Sequence, residues 1–104
     1  GLPKREFLHV DDLAQVIVFA IENKLEESIY NVGTGSEISI KDLAELVQGI
    51  VGHKGNIVWD KSKPDGTPRK LLDLSRLKSK SWNSKIILNA GISDTYNEFQ
   101  VNFF

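Results

Sequence analysis

The chain has 104 residues, 40% of them apolar and 26% charged, with a net charge of −1 and a sequence pI of about 6.1. That size and mix suit one globular unit or part of one, and the near-neutral balance argues against a nucleic-acid module, which carries a basic bias on the domain scale. Cysteine is absent, which excludes disulfides and thiolate metal sites, and the longest apolar run, Val16 to Ile21, is far too short for a membrane span.

In chain order, REFLHV (5–10) reads as a short strand or an extended entry. Asp11 is placed to cap a following helix, DDLAQVIVFAIENK, with two acids at the end the helix dipole favours. Leu13, Val16, Ile17, Ala20 and Ile21 make one face. Val18 and Phe19 spread apolarity around the far side, so this helix is expected to be buried on most faces. Ile29 to Val32 reads as a short buried strand, with Gly33-Thr34-Gly35 as its turn. Ser39 then opens a second helix, Ile40, Leu43, Ala44, Val47, Ile50 and Val51 keep helical spacing, and Gly52 is placed as its C-terminal cap. NIVWD (56–60) reads as another short strand. Ser75 is expected to cap a short helix that seats Trp82, and Leu88, Ile92, Tyr96 and Phe99 suggest a last helix near 88–99, opened by an indifferent cap at Ile87. Three or four helices with short strands between them make an α/β unit, with too few strands for a full doubly wound sheet.

The turn VGTGSEI follows an expected strand and precedes a helix, as a dinucleotide-binding fingerprint requires. Ile38 stands where that pattern needs a small residue, so a tight turn is the better account of both glycines. His9, flanked by Leu8 and Val10, reads as a packed residue with one satisfied nitrogen, and His53 as an exposed one. Neither joins a cluster at metal-ligand spacing. Asp11 and Asp12 could be paired catalytic carboxylates, but helix capping explains them more simply. There is no thiol, no Tyr-x-x-x-Lys pair and no G-x-S-x-G, so no catalytic residue is assigned.

The segment SKPDGTPRK (62–70) is the most unusual stretch. Pro64 and Pro68 stiffen it and Gly66 lets it turn, which lowers the ordering cost of binding. Arg69 can pair bidentately with phosphate, Lys70 adds a compact charge, and Asp65 can accept from sugar hydroxyls. A diphosphate-linked sugar needs both kinds of partner. A solvated surface loop without a ligand would explain the same composition. Arg5, at the base of the REFLHV stretch, is a further candidate.

REFLHVDDLA, YNVGTG, ISIKDLAELV and SKPDGTPRKLLDLSRL, in that order, resemble the carboxy-terminal part of the GDP-L-fucose synthase family (GDP-4-keto-6-deoxy-D-mannose epimerase/reductases), within the extended short-chain dehydrogenases. The resemblance covers almost the whole chain. The FLHVDD and NVGTG patterns are shared widely by extended members, whereas KPDGTPRK is far more specific. It implies that residues 1–104 are a small carboxy-terminal GDP-sugar-binding domain of a two-domain enzyme. A separate Rossmann domain would bind NADP(H) and carry the catalytic groups. The piece alone is then expected to be inactive and to bind no cofactor or metal. Matched residue by residue, the resemblance makes Arg5 a substrate-contacting arginine and puts Asp65 and Lys70 in the substrate-binding loop, with Arg69 beside them. It also implies a cytoplasmic, homodimeric parent with no nucleic-acid or membrane partner. The chain has no methionine and Gly1-Leu2-Pro3 reads as the middle of a loop, which agrees with a piece of something longer. Two departures fall in the last third: KSKSW stands where the family has Leu-Gly before the tryptophan, and Ile87 replaces a Ser or Thr cap. A non-catalytic module on the same scaffold, or part of another nucleotide-sugar epimerase or dehydratase, are the alternatives.

Overall fold

The computed structural model describes residues 1–103. Strand β1 (Lys4–Arg5) leads into helix α1 (Val10–Glu22). Strand β2 (Ile38–Ser39) leads directly into helix α2 (Ile40–Val51). A long irregular stretch then precedes helix α3 (Ser75–Ser79) and helix α4 (Leu88–Phe103). β1 and β2 form a two-stranded antiparallel sheet, with Lys4 opposite Ser39 and Arg5 opposite Ile38. The architecture is therefore α/β, four helices around a minimal sheet. The expected strands at 29–32 and 56–60 run as irregular chain instead, because neither finds a strand to pair with.

Local rules account for much of this. Ser39 caps α2, its hydroxyl accepting from the Asp42 N–H at 3.1 Å. Gly52 ends the helix in the left-handed region, at φ 73°, where a side chain would be strained. α1 departs from expectation. Its N-cap is His9, whose Nδ1 accepts from the Asp11 N–H at 3.0 Å, so Asp11 sits inside the first turn. Asp12 is neither a cap nor one of a catalytic pair. It is buried, and its carboxylate accepts from the Lys85 and Ile86 N–H groups at 3.0 Å, tying the segment before α4 to the base of α1. At α3, Leu74 occupies the N-cap position, and the Asp73 carboxylate accepts from the Ser75 N–H.

The core is a small cluster of Val16, Leu77 and Trp82, with Phe19, Tyr30 and Val32 packed against it. α2 packs against α4 through half-buried residues. The whole is a slab of 49 × 35 × 17 Å with a radius of gyration of 16.5 Å, against roughly 13 Å for a compact chain of this length. α1 shows the reason. It buries only Asp12 and Val16 and leaves Val10, Leu13, Ile17, Val18 and Ile21 exposed, so the expected all-round burial is not met within these residues.

Candidate functional site

The site is organised by β1. On one side the strand pairs with β2. On the other, the Lys4 N–H donates to the Pro68 carbonyl at 2.9 Å, and Lys4 forms a parallel bridge with Arg69. The stiffened 62–70 segment is thus held against β1 by its second half, while its first half arches away. The start of the chain also closes the end of α2. The Ile40 and Lys41 N–H groups, two of the donors a helix leaves unpaired, donate to the carbonyls of Pro3 and Gly1 at 3.0 Å. Lys41 is thereby brought close to the loop.

Between the arch and the first turn of α2 lies an open cavity of about 680 Å³, within the range of small-molecule sites. Arg5 and Asp65 both line it. The Arg5 Nη1 donates to the Lys4 and Thr67 carbonyls, both at 2.6 Å. A guanidinium has five N–H donors. Nη1 spends two on the backbone, which fixes the plane of the group and leaves the Nε and Nη2 hydrogens for a ligand. Gly66 permits this approach, since a Cβ there would lie 3.1 Å from Nη2.

The cavity wall also carries Lys41, Lys61 and Lys63, against the acids Asp60 and Asp65. None of these three lysines spends its ammonium on a hydrogen bond or ion pair among the described residues, so the cavity has a surplus of uncommitted positive charge. Asp60 is different. Its Oδ1 accepts from the Ser62 hydroxyl at 2.5 Å and the Ser62 N–H at 3.0 Å, and those bonds hold its carboxyl below the ordinary aspartate value. It is therefore a fixed anion at neutral pH.

The other two candidates are placed elsewhere. Arg69 is committed to Glu37, with Nε 2.8 and 2.9 Å from the two carboxylate oxygens. Lys70 follows it on the chain, exposed and off the cavity wall. The structure thus brings Arg5 and Asp65 together and sets Arg69 and Lys70 at the far end of the same loop. Sequence reasoning missed Trp59, Asp60, Lys41, Lys61 and Lys63. For Lys61 and Lys63 a signal existed, since both flank Ser62 at the start of the loop. For Lys41, on the polar side of a helix, there was none.

The Gly33-Thr34-Gly35 turn has its own occupant. The Glu6 carboxylate accepts from the Thr34 and Gly35 N–H groups at 3.1 and 2.6 Å, and lies so near Gly33 that a Cβ there would overlap it. The amides that would have to meet a dinucleotide phosphate are filled from within the chain. These residues therefore do not fit NADP(H). No group of three or more metal-ligating side chains occurs among the described residues, and no helix described is long and apolar enough to cross a membrane.

Comparisons with known proteins find relatives over almost the whole chain. Residues 1–33 match the NAD dependent epimerase/dehydratase family. The chain is 54% identical over 102 residues to a putative GDP-L-fucose synthase of Arabidopsis thaliana, covering 98% of this chain and 31% of that protein. A solved GDP-L-fucose synthetase from Naegleria fowleri superimposes with a TM-score of 0.90 at 25% identity, covering 99% of this chain and 32% of the other. A GDP-mannoheptose C4 reductase from Campylobacter jejuni, solved with NADP bound, gives 0.83 at 38% identity, covering 96% and 32%. The chain is thus similar over almost its whole length to GDP-L-fucose synthases and spans about a third of the length of the curated relatives it matches.

Proposed function

We propose that this chain is the GDP-sugar-binding portion of an NADP(H)-dependent epimerase/reductase that converts GDP-4-keto-6-deoxy-D-mannose to GDP-L-fucose. The observation that carries the reading is Arg5. Its guanidinium is locked by two backbone carbonyls, faces a cavity shared with Asp65, and keeps three donors for a ligand. A donor fixed before the ligand arrives spends little free energy on ordering. In this reading the Arg5 donors grip the diphosphate and the surrounding lysines neutralise it. Asp65 accepts from sugar hydroxyls. Arg69, through Glu37, keeps the loop in register, and Lys70 beside it adds positive charge at that end of the loop, away from the cavity wall.

The reactive half of the chemistry belongs to other residues of the protein. NADPH supplies hydride to the sugar ketone, and the cofactor is held outside this chain, consistent with the Glu6-filled turn. The uncovered ridge of α1 and the exposed Val101 and Phe103 of α4 offer apolar surface for the remainder of the protein and a second copy, in a cytoplasmic homodimer. The same exposure speaks against a free-standing binding module.

The test uses the full-length protein. Arg5→Ala and Asp65→Ala each remove a charged hydrogen-bonding partner, which is worth about 1.5–3 kcal/mol of substrate binding. KM for the GDP-sugar should rise by roughly ten- to a hundred-fold. Turnover should favour GDP-linked over UDP- or dTDP-linked keto-sugars. Unchanged KM in both variants would overturn the assignment.

A further inference from the structure

We propose that Glu6 is a positioning residue: its carboxylate does not meet the ligand, and by holding the Gly33–Gly35 turn it sets the direction of the Arg5 guanidinium. This rests on the nucleotide-sugar reading above. Arg5 lines the cavity and Glu6 does not. The half-buried Glu6 side chain goes instead to the turn, where Oε2 alone accepts from the Thr34 and Gly35 N–H groups. The fit is close on both sides. A Cβ on Gly33 would stand 2.5 Å from Oε1, and Gly35 offers its N–H at φ 78°, a conformation that suits glycine. Thr34 closes the turn, its hydroxyl donating to the Ser36 carbonyl and accepting from the Ser36 N–H, both at 3.1 Å.

The turn matters to Arg5 because the chain runs from it straight into the residues that face β1 and the loop. Glu37, next after Ser36, takes the Arg69 guanidinium, and Ile38 pairs with Arg5 itself. Arg69 bridges to Lys4, and Thr67, two residues earlier, gives its carbonyl to Arg5 Nη1. The contacts form a ring: Arg5, Glu6, the turn, Glu37, Arg69, Thr67 and Arg5 again. A sheet of two residues per strand is too short to fix an orientation unaided. The ring supplies the missing constraint, and Glu6 ties the turn into it through two charge-assisted bonds. Without Glu6 the turn and β1 are joined only by the short pairing, and the guanidinium is free to swing with its strand.

The experiment measures KM and kcat for the GDP-linked keto-sugar, and denaturant unfolding, on the full-length protein. Glu6→Ala should raise KM about tenfold with kcat nearly unchanged. That stays within the Arg5→Ala effect, since a positioning residue cannot lose more than the group it positions. In an Arg5→Ala background, Glu6→Ala should leave KM unmoved, because the group it aims is gone. Asp12→Ala is the structural control. It too takes a carboxylate from two backbone N–H groups, and it should lower stability with KM unchanged. Glu6→Gln keeps an oxygen for both N–H groups and should restore KM close to the wild-type value. Should Glu6→Ala fold poorly, Gly33→Ala pushes the carboxylate off the turn from the other side and should raise KM in the same way. The assignment fails if Glu6→Ala and Gly33→Ala lower stability without moving KM while Arg5→Ala still raises it, or if Glu6→Ala moves KM equally with and without Arg5. If Arg5→Ala itself leaves KM unchanged, the nucleotide-sugar reading fails and this proposal with it.

Discussion

The corner around Trp82 and the loop around Arg5 are built on opposite principles. Val16, Leu77 and Trp82 exclude water, and Asp12 enters the same corner with its charge spent on two backbone N–H groups. By contrast, every residue from Gly52 to Asp73 is exposed. That stretch has no buried residue and is held largely by directional contacts, among them the Lys4 bond to Pro68, the Arg5 bond to Thr67, the Gln48 side chain on the Gly55 carbonyl, the Glu37–Arg69 pair and the Asn31 side chain on the Asp73 carbonyl. Burial gives stability without regard to which surface remains, whereas hydrogen bonds fix positions and contribute little net free energy. The corner can therefore keep the chain folded, while the loop remains open to water and to a charged ligand.

The contrast breaks if truncating the corner is cheap. Trp82→Ala should cost about 3–5 kcal/mol in denaturant unfolding of the full-length protein, the range for a buried aromatic. Asp12→Ala should cost about 1.5–3 kcal/mol by the same measurement, because two backbone N–H groups lose a charged acceptor. Ser81 offers a change of opposite sign. It sits in the left-handed region at φ 66°, just before Trp82. Ser81→Gly should raise stability by about 1 kcal/mol, the strain of a side chain in that conformation. On the loop side, a double-mutant cycle on Glu37→Ala and Arg69→Ala should give a coupling of only about 0.2–1 kcal/mol, because the Arg69 end of the pair is exposed. A coupling as large as the Trp82 effect would mean that the loop, too, is held by burial.

How far each part could be read from the chain follows the range of the forces involved. α2 was legible from cap to cap, since Ser39 and Gly52 act on their own helix. The start of α1 was misread by two residues, because the His9 ring takes the acceptor role assigned to Asp11. The strands expected at 29–32 and 56–60 carry β-forming residues, yet a strand exists only with a partner. Here the pairing goes to residues 4–5 and 38–39, more than thirty positions apart. At the site, Asp65 was picked out by the loop's composition and Arg5 by its place at the base of the REFLHV stretch, and the two share a cavity, whereas the partnership of Arg69 with Glu37 needs a fold to bring 37 and 69 together.

By itself the sequence determined the helices with strong local ends and the turning, stiffened, charged character of 62–70. Each is a property of neighbouring residues and needs no knowledge of the rest. Only the tertiary structure decided which cations stay uncommitted, that Lys41 joins the cavity, and that the glycine turn is already filled by Glu6. Hydrogen bonds and ion pairs form between whatever groups the fold places within about 3 Å, and spacing along a chain does not determine that distance.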